Sequence, residues 1–208
     1  MASTFDSITV TGTITVPETA VGAQLRTSVL KQDDNKVFPI PFTLLRIWDA
    51  YATNLTATAN TDDLGLVGGT FGTAPPLVQA GDVRVLGATT RYARVQVIVP
   101  ECYVAAETLT INISAGMKTT VADSSCTLDV EAYRLDKLSG ISADLVTTAA
   151  MTMNSLTFST KLFVVNAASL SAGDVLDVRI TIASNDAASA GAVIPTLAAI
   201  DLLCDIKG

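Results

Sequence analysis

The stretch RYARVQVIVPECYVAAETLTINISAGMKTTVADSSCTLDVEAYR, residues 91–134, decides the fold because apolar and polar residues alternate in three of its segments. The apolar positions of these segments are Ala93, Val95, Val97 and Val99; Leu109, Ile111 and Ile113; and Cys126, Leu128, Val130 and Ala132. Successive side chains of a strand point to opposite faces, so each segment gathers its apolar side chains on one face. The stretch therefore predicts three successive strands that share one buried surface, as half of a β-sandwich or barrel.

Strand-like alternation recurs along the rest of the chain. It is found at residues 8–16, 156–165, 176–182 and 200–206. Residues 37–50 also carry evenly spaced apolar side chains, but Pro39 and Pro41 remove two backbone donors, which predicts a sheet edge or an extended crossing segment. About nine strands, with no amphipathic helix longer than two turns, predict an all-β chain: a single antiparallel β-sandwich domain of jelly-roll type over residues 1–208.

Several connections between the strands carry recognisable turn chemistry. Ala-Gly-Asp occurs at residues 80–82 and again at 172–174, each time before an extended run, which predicts the same hairpin turn used twice. Residues 32–35, with the sequence QDDN, predict another turn. Residues 138–153 are rich in Ser, Thr and Ala and predict a short helix.

Two longer segments are candidates for contacts with other molecules. Residues 54–76 are rich in Thr, Gly, Asp and Pro, and so long a stretch of turn chemistry in a compact domain predicts a loop that contacts a partner. Residues 1–30 contain the first strand-like run, which either belongs to the sandwich or reaches out as an amino-terminal arm to a neighbouring subunit. The sequence leaves these two alternatives open.

The composition predicts a protein that self-associates. Charged residues make up 16% of the chain, against a usual fraction of about 25%. The mean hydropathy is +0.45. We expect part of the apolar excess to lie in contacts between subunits, the alternative being a large core in a chain rich in small residues.

Charge and spacing argue against two other classes of partner. The net charge is −7, which opposes binding to nucleic acid because that affinity comes mainly from Lys and Arg. Polar residues interrupt every apolar run, so no spanning helix of about 20 apolar residues is predicted. The first ten residues show neither a basic region nor an apolar core, and hence no secretory signal.

Three cysteines, Cys102, Cys126 and Cys204, form no CxxC pair. In their alternating segments Cys126 and Cys204 fall on the apolar side. The pattern predicts buried free thiols in a reducing cytosol. A bridge between Cys102 and Cys126, on neighbouring strands, stays open as an alternative.

Histidine is absent from the sequence, which removes Ser/His/Asp and Cys/His catalytic systems and histidine-ligated metals. Two pairs of adjacent carboxylates, Asp33 with Asp34 and Asp62 with Asp63, predict solvated turns, with calcium binding as the alternative. The glycines between residues 65 and 72 lack the Lys-Ser/Thr of a phosphate loop. The sequence therefore predicts no catalytic, cofactor-binding or metal-binding residue, and no enzyme.

Aromatic side chains are the basis of the main rival hypothesis, a carbohydrate-binding or adhesion module. The candidates for a sugar platform are Trp48, Tyr51, Tyr92, Tyr103 and Tyr133. Aromatic residues make up only 5% of the chain, and no single loop collects them. Tyr92 and Tyr133 could equally pack between the sheets or at a subunit seam.

Three segments carry a resemblance to a known family. They are ATTRYARVQVIVPECY (88–103), INISAGMKTTVADSSCTLDVEAYR (111–134) and LSAGDVLDVRITIASNDAASAGAVIPTLAAIDLLCDIKG (170–208). In their pattern of strands and turns they resemble the capsid decoration, or cement, proteins of tailed bacteriophages, which have a jelly-roll body. No functional residues of that family can be carried over to this sequence.

The resemblance implies both a partner and a location. It implies a homo-oligomer, often a trimer, that sits on the outer face of an icosahedral head and bridges neighbouring major capsid subunits. The expected partners are thus the chain itself and the phage major capsid protein, with no nucleic acid and no membrane. The protein would be made in the host cytoplasm and end in the virion. Another virion component, such as a major capsid subunit, a head fibre or a tail part, is the alternative.

Overall fold

The computed structural model describes residues 31–83, 87–136, 138, 140–187 and 191–207. These residues form ten strands and one short 3₁₀ helix at Phe42–Leu44. The strands are β1 (Lys31–Pro39), β2 (Gly65–Val67), β3 (Leu77–Gln79), β4 (Ala88–Ile98), β5 (Leu109–Met117), β6 (Ser125–Leu135), β7 (Met151–Thr152), β8 (Ser159–Val165), β9 (Val175–Asn185) and β10 (Pro195–Lys207). The predicted strand at 8–16 and the alternative arm at 1–30 lie outside the described residues.

The strands form two antiparallel sheets with jelly-roll topology. Sheet A has the order β2-β3-β10-β5-β8, and β1 pairs with β10 as well. Sheet B has the order β4-β9-β6-β7. From β3 to β10 every connection except β6–β7 crosses from one sheet to the other, which interlocks two Greek keys. The predicted all-β sandwich of jelly-roll type is confirmed.

The structure confirms the predicted buried faces of the three strands within residues 91–134. The prediction that these three strands together form one half of the sandwich is wrong. Ala93, Ile111 and Leu128 are all fully buried, as the alternation requires. However, β5 lies in sheet A, whereas β4 and β6 lie in sheet B. Alternation determines which face of a strand is buried, and both sheets bury that face in the same core, so the pattern does not assign a strand to a sheet.

Two other sequence predictions are wrong, because distant strands supply the backbone hydrogen-bond partners of these two segments. Residues 32–35 do not form a turn but lie within β1, where the register with β10 shifts between Lys31 and Asn35. The described part of 138–153 contains no helix. Its backbone groups bond to the sheets instead: Leu145 donates to Ala132 at 2.8 Å, and Thr147 donates to Val164 at 3.0 Å.

The two Ala-Gly-Asp turns share their geometry. Gly81 has φ +75° and Gly173 has φ +79°, a left-handed conformation that glycine adopts without strain. Asp174 accepts a hydrogen bond from the backbone N–H of Ser171 at 2.9 Å. The second turn joins β8 of sheet A to β9 of sheet B, so it forms a corner between the sheets and not a hairpin.

Residues 54–76 are more deeply integrated into the sandwich than a surface loop. They contain β2, which pairs with β3, and they bury Leu55 and Leu64 in the core. The tip around Phe71, between β2 and β3, is exposed, and the Phe71 side chain is fully open to solvent. A contact between this segment and a partner stays a prediction.

All three cysteines are free, as predicted, so the alternative bridge between Cys102 and Cys126 is not formed. Cys126 and Cys204 are fully buried. Burial raises the pKa of each of these two thiols to about 11, which keeps them protonated and unreactive at neutral pH. In the described part of the chain, no helix has the length and apolar character needed to span a membrane.

Candidate functional site

Two surfaces of opposite chemistry cover the two outer faces of the sandwich. We call the outer face of sheet A the apolar face. Two cross-strand rows make up its centre: Val37, Leu203, Thr110 and Val164 in the first, and Pro39, Asp201, Asn112 and Leu162 in the second. Within these rows Asp201 is the one charged residue.

The apolar face leaves large side chains open to water. Val37 is 52% exposed, Leu162 is 51% exposed and Val164 is 44% exposed. Val37 lies on β1 and the other two lie on β8, so they flank the sheet from both sides. The exposed apolar side chains form two groups, Val37 with the half-buried Leu203 and Leu162 with Val164, and Thr110, Asn112 and Asp201 lie between the groups. Large exposed apolar side chains grouped on one face mark a candidate interaction surface.

A second apolar region lies where β1 approaches β4, and we call it the edge groove. It encloses about 260 Å³ and is lined by Phe38, Pro39, Ile40, Leu44, Gln96, Val97, Ile98, Pro100 and Leu202. Leu44 and Ile98 are the exposed large apolar side chains of this lining, and Pro39 and Gln96 are exposed as well. The sandwich therefore presents two adjoining apolar regions, the apolar face and the edge groove, which meet at Pro39.

The outer face of sheet B carries charge and aromatic rings, and we call its central depression the aromatic cleft. It encloses about 320 Å³ and is lined by Trp48, Asp49, Arg94, Tyr133, Ile141, Asp177 and Arg179. Arg94 on β4 lies directly opposite Arg179 on β9. Like charges in that position repel, so the sheet needs compensating groups beside them.

Each arginine is held by a carboxylate of its own. Arg94 donates from Nε to Asp177 at 2.7 Å, and its Nη2 forms an ion pair with the same carboxylate. Arg179 donates from Nε to Glu131 at 2.5 Å and pairs with it through Nη2. Asp177 is buried, and its hydrogen bond raises the pKa of Arg94. Both guanidinium groups are thus fixed in place and neutralised.

Aromatic rings pack against these two cations. The Arg179 guanidinium lies 5.7 Å from the Trp48 ring centre and 5.2 Å from that of Tyr92. The Trp48 and Tyr92 rings are 4.9 Å apart and inclined at 47°. Arg94 lies 5.1 Å from the ring centre of Tyr51. Cation–π attraction offsets part of the repulsion between the arginines.

Two segments of the loop region hold the rings at this position by pairing with the edge of β4. The backbone of Arg46 exchanges hydrogen bonds with Arg94 at 2.8 and 3.0 Å, which places Trp48 over the sheet. Tyr92 donates to the backbone oxygen of Asp62 at 2.8 Å. The Asp62 side chain then accepts a bond from Trp48 Nε1 at 3.1 Å.

Several carboxylates lie in or beside the cleft and affect its titratable groups. Burial, together with the negative charges of Glu131 and Asp144, raises the pKa of Asp129. Burial and the same two acids raise the pKa of Tyr133. Burial is the main cause of both shifts, so it favours the neutral forms of Asp129 and Tyr133.

One acidic residue departs from its predicted environment. Asp63 is buried and not solvated, and its Oδ1 accepts no hydrogen bond from the described residues. Burial, followed by the charges of Asp62 and Asp49, raises its pKa. Among the described residues no group of three or more Cys, Asp and Glu side chains is placed to hold a metal ion. The side chains of Asp33 and Asp34 lie outside the description.

The structure collects four of the five predicted aromatic candidates on one surface. Trp48, Tyr51, Tyr92 and Tyr133 all lie at or beside the cleft. Tyr103 is instead fully buried in the core, where its hydroxyl donates to the backbone oxygen of Glu107 at 2.7 Å. Burial raises the pKa of Tyr103 to about 12.

Sequence reasoning missed Asp49, which also lines the cleft. It also missed four charged residues on the strands: Arg94, Arg179 and Asp177 in the lining, and Glu131 beside them. The sequence held one signal for the four strand residues, because they occupy the polar positions of three alternating segments. These positions share one outer face. The arrangement offers aromatic edges, N–H donors and carboxylate acceptors within one shallow depression. Such a surface is suited to binding, and the expectation that the chain is not an enzyme stays a prediction.

No protein-family model and no curated protein matches the chain. Among solved structures, the chain is similar to the CBM22-1 xylan-binding domain from Paenibacillus barcinonensis Xyn10C, with a TM-score of 0.41, 13% identity, and coverage of 86% of this chain and 99% of that one. It is similar to the CBM22-1-GH10 modules of Clostridium thermocellum Xyn10B, with a TM-score of 0.41, 12% identity, and coverage of 84% and 28%. It is also similar to a chain of infectious bursal disease virus strain Gx, with a TM-score of 0.31, 12% identity, and coverage of 71% and 37%. At these scores the likeness carries no argument about ligand or partner.

Proposed function

We propose that the chain is a structural protein of a phage virion, and specifically a capsid decoration protein. It oligomerises on the outer face of the head and stabilises the contacts between major capsid subunits. The observation that carries the proposal is the apolar face, with exposed Val37, Leu162 and Val164 aligned across sheet A. A chain with few charges that leaves such a face open gains stability when a second copy covers it.

The edge groove supports a closed ring of copies. A contact between unlike patches generates a ring when its rotation closes, whereas a two-fold dimer uses the same patch twice. The apolar face and the edge groove are two such patches on one molecule. Packing the face of one copy against the groove of the next is consistent with the trimer that the family resemblance implies.

Stabilisation of the head then follows from mass action. A protein that binds the assembled shell, and not its separated subunits, shifts the equilibrium toward the shell. The tip of residues 54–76 is the candidate contact with the capsid, because Phe71 is fully exposed there between Gly69 and Gly72, both with positive φ. An exposed phenyl ring on a tight turn is a suitable anchor for a pocket in a partner.

Sedimentation with expanded heads tests the proposal. We expect the purified protein to pellet with heads and the Phe71→Ala variant to bind at least about tenfold more weakly, because a buried aromatic anchor contributes about 2 kcal/mol or more. Leu138→Ala is the matched control, since Leu138 is also almost fully exposed but lies between β6 and β7. Absence of wild-type binding would contradict the decoration function. Counting copies per particle by cryo-microscopy would distinguish decoration from another virion component.

A second function, binding of carbohydrate, is favoured by the aromatic cleft. Aromatic side chains with a polar tip, placed beside hydrogen-bonding groups, suit a sugar ring that has apolar faces and polar edges. Trp48, Tyr92 and Tyr133 supply the rings, and Arg94 and Asp49 supply the polar groups. We expect a signal on a glycan array that disappears with Trp48→Ala, and an unchanged signal in that variant would reject this site.

A further inference from the structure

We infer that the aromatic cleft, if it acts in the second function proposed above, takes a neutral saccharide in preference to an acidic one. The inference therefore rests on that function and adds the class of ligand. The aromatic cleft has a volume of about 320 Å³, which lies at the lower end of the range for small-molecule sites, about 300 to 1,000 Å³. That volume suits a short segment of a sugar chain.

The hydrogen-bonding groups of the cleft match hydroxyl groups. Arg94 commits Nε and Nη2 to Asp177, while its Nη1 makes only a long bond of 3.5 Å to the Trp48 carbonyl oxygen. This Nη1 group can donate to a ligand oxygen. Asp49 lines the same cleft and is exposed, so its carboxylate can accept. A hydroxyl group both donates and accepts, and it can therefore satisfy both neighbours.

The charges of the cleft disfavour an acidic ligand. Arg94 and Arg179 are each neutralised by a carboxylate within the protein, so neither presents uncompensated positive charge. Asp49 adds a negative charge that no described ion pair offsets. The carboxylate of an acidic sugar would be repelled by Asp49, and no unpaired arginine would compensate for that repulsion.

A cationic ligand is disfavoured by a different feature. A cation would bind over the face of a tryptophan or tyrosine ring. The Arg179 guanidinium already packs on Trp48 and Tyr92, and Glu131 holds it there. A neutral sugar is not repelled by Arg179, and it can pack against Tyr133, which lines the cleft outside this cation–π cluster.

The test compares neutral oligosaccharides with otherwise matched oligosaccharides that carry one uronic or sialic acid. We expect the wild-type chain to bind the neutral member of each pair at least about tenfold more tightly, a difference of about 1.4 kcal/mol. Asp49→Asn should reduce this ratio by at least about threefold, because it removes the negative charge at the rim. Asp201→Asn, on the opposite face of the sandwich, should leave the ratio unchanged.

The outcomes separate this inference from the function on which it rests. Equal or tighter binding of the acidic members would overturn the neutral preference while leaving carbohydrate binding intact. If Asp49→Asn leaves the ratio of neutral to acidic binding unchanged, the neutral preference is likewise overturned and carbohydrate binding stays intact. Binding of no glycan at all would overturn both.

Discussion

Replacing both Leu162 and Val164 by glutamate is expected to convert the proposed oligomer into monomers. Both side chains are about half exposed on β8 and belong to the two central rows of the apolar face. Two carboxylates buried without a partner at a subunit contact would each cost several kcal/mol, which exceeds what a contact of ordinary size can absorb. Analytical ultracentrifugation at a fixed concentration measures the change.

The control for this variant is Leu138→Glu, which adds the same charge at an exposed leucine away from sheet A. It should leave the mass of the particle unchanged. Substitutions at exposed positions typically alter stability by only about 0.5 kcal/mol, so circular dichroism should show a folded double variant. If the wild type is an oligomer, a double variant of the same mass would rule out the apolar face as the subunit contact.

Replacing Phe163 by alanine is expected to produce the largest loss of stability. Phe163 is fully buried and projects from β8 into the core between the sheets, opposite Ile111 of β5. Truncating a buried phenylalanine costs about 3 to 5 kcal/mol, because burial is lost and a cavity remains. For a domain of this size the melting temperature should fall by about 2 to 4 °C per kcal/mol.

The matched control is Phe71→Ala, which removes the same side chain from a fully exposed position. Its free energy of unfolding should stay within about 0.5 kcal/mol of the wild type. Denaturant unfolding of the two variants measures the difference directly. Equal losses in both variants would contradict the placement of Phe163 in the core.

Alternation in the sequence was sufficient to predict the class of fold. The buried sides of Ile180 and Leu202 follow from their neighbours in the chain, because the two-residue period of a strand is a local property. The sheet to which a strand belongs depends on pairing with distant segments. For this reason β5 could be identified as a strand but not assigned to the sheet opposite β4 and β6.

The aromatic cleft was predictable only in its residue types. Trp48 and Tyr92 were recognised as candidates, but their contact requires residues near Arg46 to pair with the edge of β4. Arg94 and Asp177 are 83 residues apart in the sequence. No local pattern brings such groups together, so the cleft became visible only when the register of β4, β9 and β6 was known.

The mass of the native particle in solution tests the central claim, that the apolar face of sheet A is covered by other copies of the chain. One copy has a mass of 21.6 kDa. We predict a particle of about three times that mass that persists on dilution into the low micromolar range, as expected for contacts of standard size. A species that stays at the mass of one copy at every concentration would contradict the claim.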